Sequence, residues 1–106
     1  MSQKPVRARC KTHLAHVGSQ HCLTCYSKPV EVHHLLTAQP KAMGLKSGDQ
    51  WTVALCKHHH TGADGVHTAG DERLWMIRHG QPNYLAVAEG LAKHSPSKKI
   101  REAAGQ

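Results

Sequence analysis

Two ligand pairs, Cys22-x-x-Cys25 and Cys56-x-x-His59, constrain this chain more than any other feature. Zinc favours four tetrahedral sulfur and nitrogen ligands, and two residues three positions apart on a tight turn or helix start can point at one ion. Together the pairs make a complete set, and an ion held by them would clamp the two ends of whatever residues 26–55 fold into. Cys10-x-x-His13 has the same spacing and competes to join Cys22 and Cys25, which would leave Cys56 as a small buried apolar side chain. A disulfide is the third reading, set behind metal ligation because no secretory signal accompanies the cysteines.

A metal staple suits the composition. The 106 residues predict one domain, yet only 39% are hydrophobic and Phe is absent, so the core is thin for the length. Lys and Arg outnumber Asp and Glu by 14 to 7, and a formal charge of +7 favours a polyanionic partner, DNA or RNA first. The basic start runs into no apolar segment, and no stretch approaches a membrane span, so the expectation is a cytoplasmic protein without a membrane partner.

Along the chain, residues 1–9 read as a basic flexible arm, 10–94 as the folded domain and 95–106 as a polar basic tail. A short helix is expected over 10–20, stopped at Gly18. A strand follows at Val30–His34, with Val30 and Val32 on one face and Glu31 and His33 on the other. Residues 36–50 lose periodicity and read as a long functional loop, with Lys46 as a candidate phosphate contact or simply a solvated side chain. Trp51–Leu55 alternates again, with Trp51, Val53 and Leu55 on one face, and is expected to pair antiparallel with the first strand. After Cys56 a helix should start and break at Gly62 and Gly65; Asp71 reads as an N-cap for 72–79, and a last amphipathic helix carries Tyr84, Val87, Ala88 and Leu91. Trp51 and Trp75 read as core residues rather than base-stacking platforms.

Five of the 11 histidines fall in two clusters, at 33–34 and 58–60. Phosphodiester hydrolysis needs an activated water, a Lewis acid on the phosphate, and a group that holds the base in the right tautomer. His34, at the strand end, suits the general base, and His33 a metal ligand. His60 lies about 100° around a helix from His59, so one can face a structural ion and the other an active one. His67 would return as a further ligand after the glycine break; if the helix instead runs through Gly62, Asp64 takes that place. Asp49 could orient His34 or merely cap a turn.

Taken together, Cys22-x-x-Cys25, Val-Glu-Val-His33-His34-Leu, Lys46-Ser-Gly-Asp49-x-Trp-Thr-Val-Ala-Leu-Cys56-x-x-His59-His60-Thr-Gly and His67-x-x-Gly70-Asp71 resemble the HNH, or ββα-metal, nucleases. The likeness runs from about Leu14 to Leu91 and is nearest to the small phage and prophage group that includes the recombination-enhancement nucleases. It implies an α+β fold: a small ββα-metal, treble-clef-like domain with a structural zinc and flanking helices. It also implies a DNA endonuclease using one catalytic divalent cation, Mg²⁺, Mn²⁺ or Zn²⁺. The roles implied are His34 as general base, with Asp49 standing where the motif has Asn. Cys22, Cys25, Cys56 and His59 would hold the structural zinc, and His33 and His60 the catalytic metal. The family's last histidine, four residues after His60, is Asp64 here, and His67 lies three residues further on. The DNA implied is single-stranded or a recombination intermediate, with a recombinase filament as companion.

Overall fold

A computed structural model describes residues 7–39 and 47–104. The chain is a small α+β domain with one two-stranded sheet and six helices among the described residues. The elements are α1 (Lys11–Gly18), β1 (Glu31–His34), β2 (Thr52–Leu55), α2 (Lys57–His60), α3 (Val66–Ala69), α4 (Glu72–Arg78), α5 (Tyr84–Lys93) and α6 (Lys98–Ala103). No helix among the described residues is long and apolar enough to cross a membrane.

β1 and β2 pair antiparallel with Glu31 opposite Leu55 and His33 opposite Val53. Residues directly opposite share a face, so the face of β1 that alternation marks as polar lies beside the apolar face of β2. His33 is accordingly buried, at 1% exposure, while all four residues of β2 are buried. Leu35, Val53 and Leu55 meet Val66, Trp75, Met76, Tyr84 and Ala88 in the main core. Trp75 lies in this core with its indole N–H donating to the Asp64 carbonyl at 3.0 Å, and Trp51 packs against the core's edge.

Between α2 and α3 the chain turns back sharply, and glycine is what permits it. A Cβ on Gly62 would lie 2.8 Å from the His58 carbonyl oxygen, and one on Gly65 2.7 Å from that of His60. No side chain fits at such distances, so the backbone can fold over the end of α2 only with glycine at both positions. Asp71 then caps α4, accepting from the Leu74 N–H at 3.0 Å. α5 buries Tyr84, Ala88 and Ala92 at helical spacing and packs on β2.

The two ends of the described chain are more ordered than their composition suggests. Of the basic arm expected over residues 1–9, residues 1–6 lie outside the described residues, but Ala8 is buried and its carbonyl accepts from the Asp49 N–H at 2.7 Å. The expected polar tail forms α6, in which Ile100 and Ala103 pack with Ala8 and Ala92 in a second core. Two apolar side chains three apart suffice to dock a short helix when a neighbour offers small residues to cover them. In the loop expected over 36–50, residues 40–46, and with them Lys46, lie outside the described residues, while Ser47, Asp49 and Gln50 are buried.

His13 joins α1 to this second unit. Its Nδ1 lies 2.8 Å from Ser95 Oγ, its Nε2 is buried without a partner, and the ring is fully buried. Burial first, and the neighbouring His16 next, lower its pKa, opposed by Asp49. A pKa depressed in the folded state means stability that is complete above the unfolded value of about 6.5 and declines as pH falls below it. In urea melts of zinc-saturated protein between pH 7.5 and 5.5, wild type should lose stability faster than His13→Gln, by at most about 1.4 kcal/mol per pH unit. Parallel slopes would sink the idea.

Candidate functional site

The first group of candidate residues is built by a turn and a helix start. The Cys22 N–H donates to the Ser27 carbonyl and the Tyr26 N–H to the Cys22 carbonyl, both at 2.9 Å, which closes the 22–27 segment into a knuckle. The Leu23 N–H donates to the Ala54 carbonyl at 2.9 Å, which fixes the knuckle to β2. Cys56 precedes α2, and its carbonyl accepts from His59 and His60 at 3.1 and 2.9 Å.

Their donor atoms converge. Cys25 Sγ is 3.7 Å from Cys56 Sγ, and His59 Nδ1 is 3.2 Å from Cys56 Sγ and 3.9 Å from Cys22 Sγ. A tetrahedral zinc with bonds of about 2.3 Å to sulfur and 2.0–2.1 Å to nitrogen has edges of roughly 3.8 Å and 3.6 Å. Cys22, Cys25, Cys56 and His59 could therefore hold a metal ion, and the donor set is consistent with structural zinc. All four cysteines of the chain are free. Although burial opposes it, the backbone N–H of Cys25, the Thr24 hydroxyl and the backbone N–H groups of Cys56 and Thr24 bring the Cys22 thiol down to about 5. Cys22 is thus a ready thiolate at neutral pH. Burial, together with the adjacent Cys25 and Cys22 thiols, pushes Cys56 up. The competing pair lies elsewhere: Cys10 Sγ donates to Ser97 Oγ at 3.2 Å, and His13 faces Ser95.

The second group draws on three elements. β1 supplies His33, α2 His60 and α3 His67, and one ligand atom from each lies within 4.8 Å of the others. The ring centroids are 5.1 Å apart for 33 and 60, 5.0 Å for 33 and 67, and 4.8 Å for 60 and 67. His60 Nε2 and His67 Nε2 approach to 3.1 Å, near the edge of about 3.4 Å expected of two nitrogens on one tetrahedral ion.

Behind these rings stand two carboxylates. Glu31 Oε1 takes His60 Nδ1 at 2.8 Å and Glu72 Oε1 takes His33 Nε2 at 2.7 Å. A carboxylate behind an imidazole fixes its tautomer and ring plane, as it does for metal-ligating histidines. The effect is plain at His33, whose Nδ1 is left buried and without a hydrogen-bond partner. An orphaned buried ring nitrogen costs stability unless something occupies it, and His33, His60 and His67 could together hold a metal ion that would offset that cost. Partial desolvation first, then the His33 and His60 rings, lower the His67 pKa against the pull of Glu72, which favours the neutral imidazole a metal needs.

Glu72 is itself held by four donors. Besides His33, the Leu36 and Thr37 N–H groups reach it at 2.9 Å each and the Thr37 hydroxyl at 2.6 Å, with Tyr84 OH 2.6 Å from that hydroxyl. Burial opposes ionisation, but these donors, His33 foremost, lower its pKa below the usual value.

Asp64 does not join this group. Its carboxylate is 3.0 Å from His79 Nε2 and 3.8 Å from His59 Nε2, so it stands behind the thiol group's histidine instead. His34 and Asp49 form a pair, Nε2 to Oδ1 at 2.8 Å. Asp49 is buried and also accepts from the Cys10 N–H at 2.7 Å, with the Arg9 guanidinium 3.7 Å away. Reading the sequence alone missed Glu72 and Arg9 as site residues and saw Glu31 only as a polar strand position. Nothing local distinguishes Glu72 from an ordinary acidic residue in the first turn of a helix.

The chain belongs to the family described as "Protein of unknown function (DUF968)", whose match covers residues 1–92. No curated protein and no solved structure matches it.

Proposed function

We propose that this chain is a metal-dependent DNA endonuclease of the HNH type, with β1, β2 and α2 forming the ββα-metal unit. The observation that carries the reading is the convergence of His33, His60 and His67 on one point, separate from the thiol group, with the His34–Asp49 pair on the same hairpin. A structural ion needs only the first group. A second, all-imidazole group backed by Glu31 and Glu72 suits a cation that does chemistry.

When bound there, a divalent cation supplies Lewis acidity at the scissile phosphate and its leaving oxygen. His34 takes the proton from the attacking water. Asp49 fixes the other proton on Nε2 and favours the imidazolium that results, as a carboxylate does for a base histidine generally. Arg9, its guanidinium 3.7 Å from Asp49, helps hold that carboxylate in place behind His34. Three imidazoles favour a transition metal over Mg²⁺, whose preference is for oxygen, so Zn²⁺ should support the reaction best and Mn²⁺, the first-row ion with the weakest hold on nitrogen, less well. The charge of +7 supplies attraction to the backbone of DNA, and recombination intermediates, with a recombinase filament, are the substrates to try first.

A plasmid-nicking assay tests this. Conversion of supercoiled to open-circular DNA should appear with Zn²⁺ or Mn²⁺ and be weak with Mg²⁺. Retained DNA binding with no cleavage under any of the three, on plasmid or on filament-coated single strands, would leave instead a zinc-stabilised nucleic-acid-binding module.

A further inference from the structure

Tyr26 is the most exposed large apolar side chain among the described residues, at 75%, and its backbone sits at a φ of 64°. That left-handed region is open to glycine at no cost and is uncommon for a bulky residue. The knuckle demands the conformation, since the Tyr26 N–H must reach the Cys22 carbonyl to close it. A tyrosine held in a strained backbone and turned into water contributes little to this fold. Its ring lies flat on His21, centroids 4.6 Å apart and planes within 2°, so the two make a preformed aromatic platform.

Beside the platform is a cavity of about 170 Å³. It lies between the knuckle and α5, lined by Leu23, Val53, Ala54, Val87 and Leu91 as well as by the two rings. An apolar recess of this size next to a flat aromatic face suits a planar heterocycle, and the +7 charge of the chain favours one carried by a polyanion.

We propose that His21 and Tyr26, with this recess, form a binding site for an unpaired base of single-stranded nucleic acid. Bases stack on such platforms without strong sequence preference, whereas a duplex keeps its bases inside the stack and offers nothing to it. The site therefore gives the chain a preference for single strands. The inference rests on the nucleic-acid reading above but not on cleavage.

The test uses zinc-loaded His34→Ala protein, so that binding is read without hydrolysis. Fluorescence anisotropy with a labelled oligothymidine should show binding that Tyr26→Gly weakens roughly 5- to 150-fold, the range for losing one stacked base, while binding to a duplex stays the same. Tyr26→Gly relieves the backbone and should melt no lower than its parent, and Tyr26→Trp should restore affinity. A single 2-aminopurine in the strand should be quenched on binding by the tyrosine and tryptophan forms only. Equal single-strand affinity for Tyr26→Gly, or an equal loss on single strand and duplex, would overturn the site whether or not plasmid nicking is ever seen.

Discussion

Withdrawing metal from the zinc-loaded protein is expected to unfold it. The Cys22, Cys25, Cys56 and His59 group joins the knuckle to the start of α2 across both strands, and the main core it supports is small, with Cys22 itself among its buried members. Structural zinc contributes about 10–16 kcal/mol of apparent binding free energy in small peptides. Whole domains are stable by only about 5–15 kcal/mol. Losing the first term therefore exceeds the second, and chelation should abolish the helical circular dichroism rather than lower the melting temperature by a few degrees. Cys56→Ser should lose the metal and the fold together. Cys10→Ser should keep both, because Cys10 Sγ bonds Ser97 and not the thiol group. Metal content by mass spectrometry decides it, and zinc released by Cys10→Ser alone would mean that the ligand set is wrong.

The second large effect is expected on cleavage. Under the nuclease reading, His34→Ala should lower the rate of plasmid nicking by about 10²–10⁴-fold, the usual contribution of a positioned base, while leaving metal at the three-histidine group. His60→Ala should also abolish nicking, but by losing that metal, so the two variants separate by metal content. Asp49→Asn retains the shape of the side chain, and with its oxygen on the Cys10 N–H it turns its NH2 onto His34 Nε2, which moves the imidazole proton to Nδ1 and removes the lone pair the base needs. A loss as large as that of His34→Ala, up to about 10⁴-fold, is expected of it, because the base is held in the wrong tautomer. A His34→Ala protein that nicks as fast as wild type in the presence of Mn²⁺ would refute the role given to His34.

Much of the site is carried by local signals. Spacing alone places Cys22 with Cys25 and Cys56 with His59, because three positions on a turn or helix start bring two ligands to one side. The alternation of Val30–His34 and Trp51–Leu55 likewise suffices for an antiparallel pair, and Asp71 for a helix start, since each depends on interactions within a few residues. The amphipathic period from Tyr84 onward also appears in the structure as α5, lying on β2.

What alternation could not say is which face of one strand lies beside which face of the other. The register puts His33 across from Val53, in the core, and that burial is what requires Glu72 to bond one ring nitrogen and leaves the other without a partner. Glu72 is 39 residues from His33 along the chain, so no local pattern relates them. The packing at the ends of the described chain is invisible to local pattern for the same reason. Ala8 and Ile100 are unremarkable in sequence, and only their meeting gives each an apolar surface to cover.

The choice between Asp64 and His67 belongs to the same class. Helical geometry offers Asp64 as the neighbour of His60, and the sequence marks the doubt with two glycines but does not resolve it. The sequence by itself determined the ligand chemistry, one set of sulfur and nitrogen donors and one of imidazole nitrogens on a basic chain with little core, because residue types and short spacings are local properties. The tertiary structure alone decided that His67 closes on His60 while Asp64 turns to His79 and His59. The backbone passes so close over the end of α2 at Gly62 and Gly65 that the chain reverses direction, and a reversal is a relation between distant atoms that no short stretch of sequence contains.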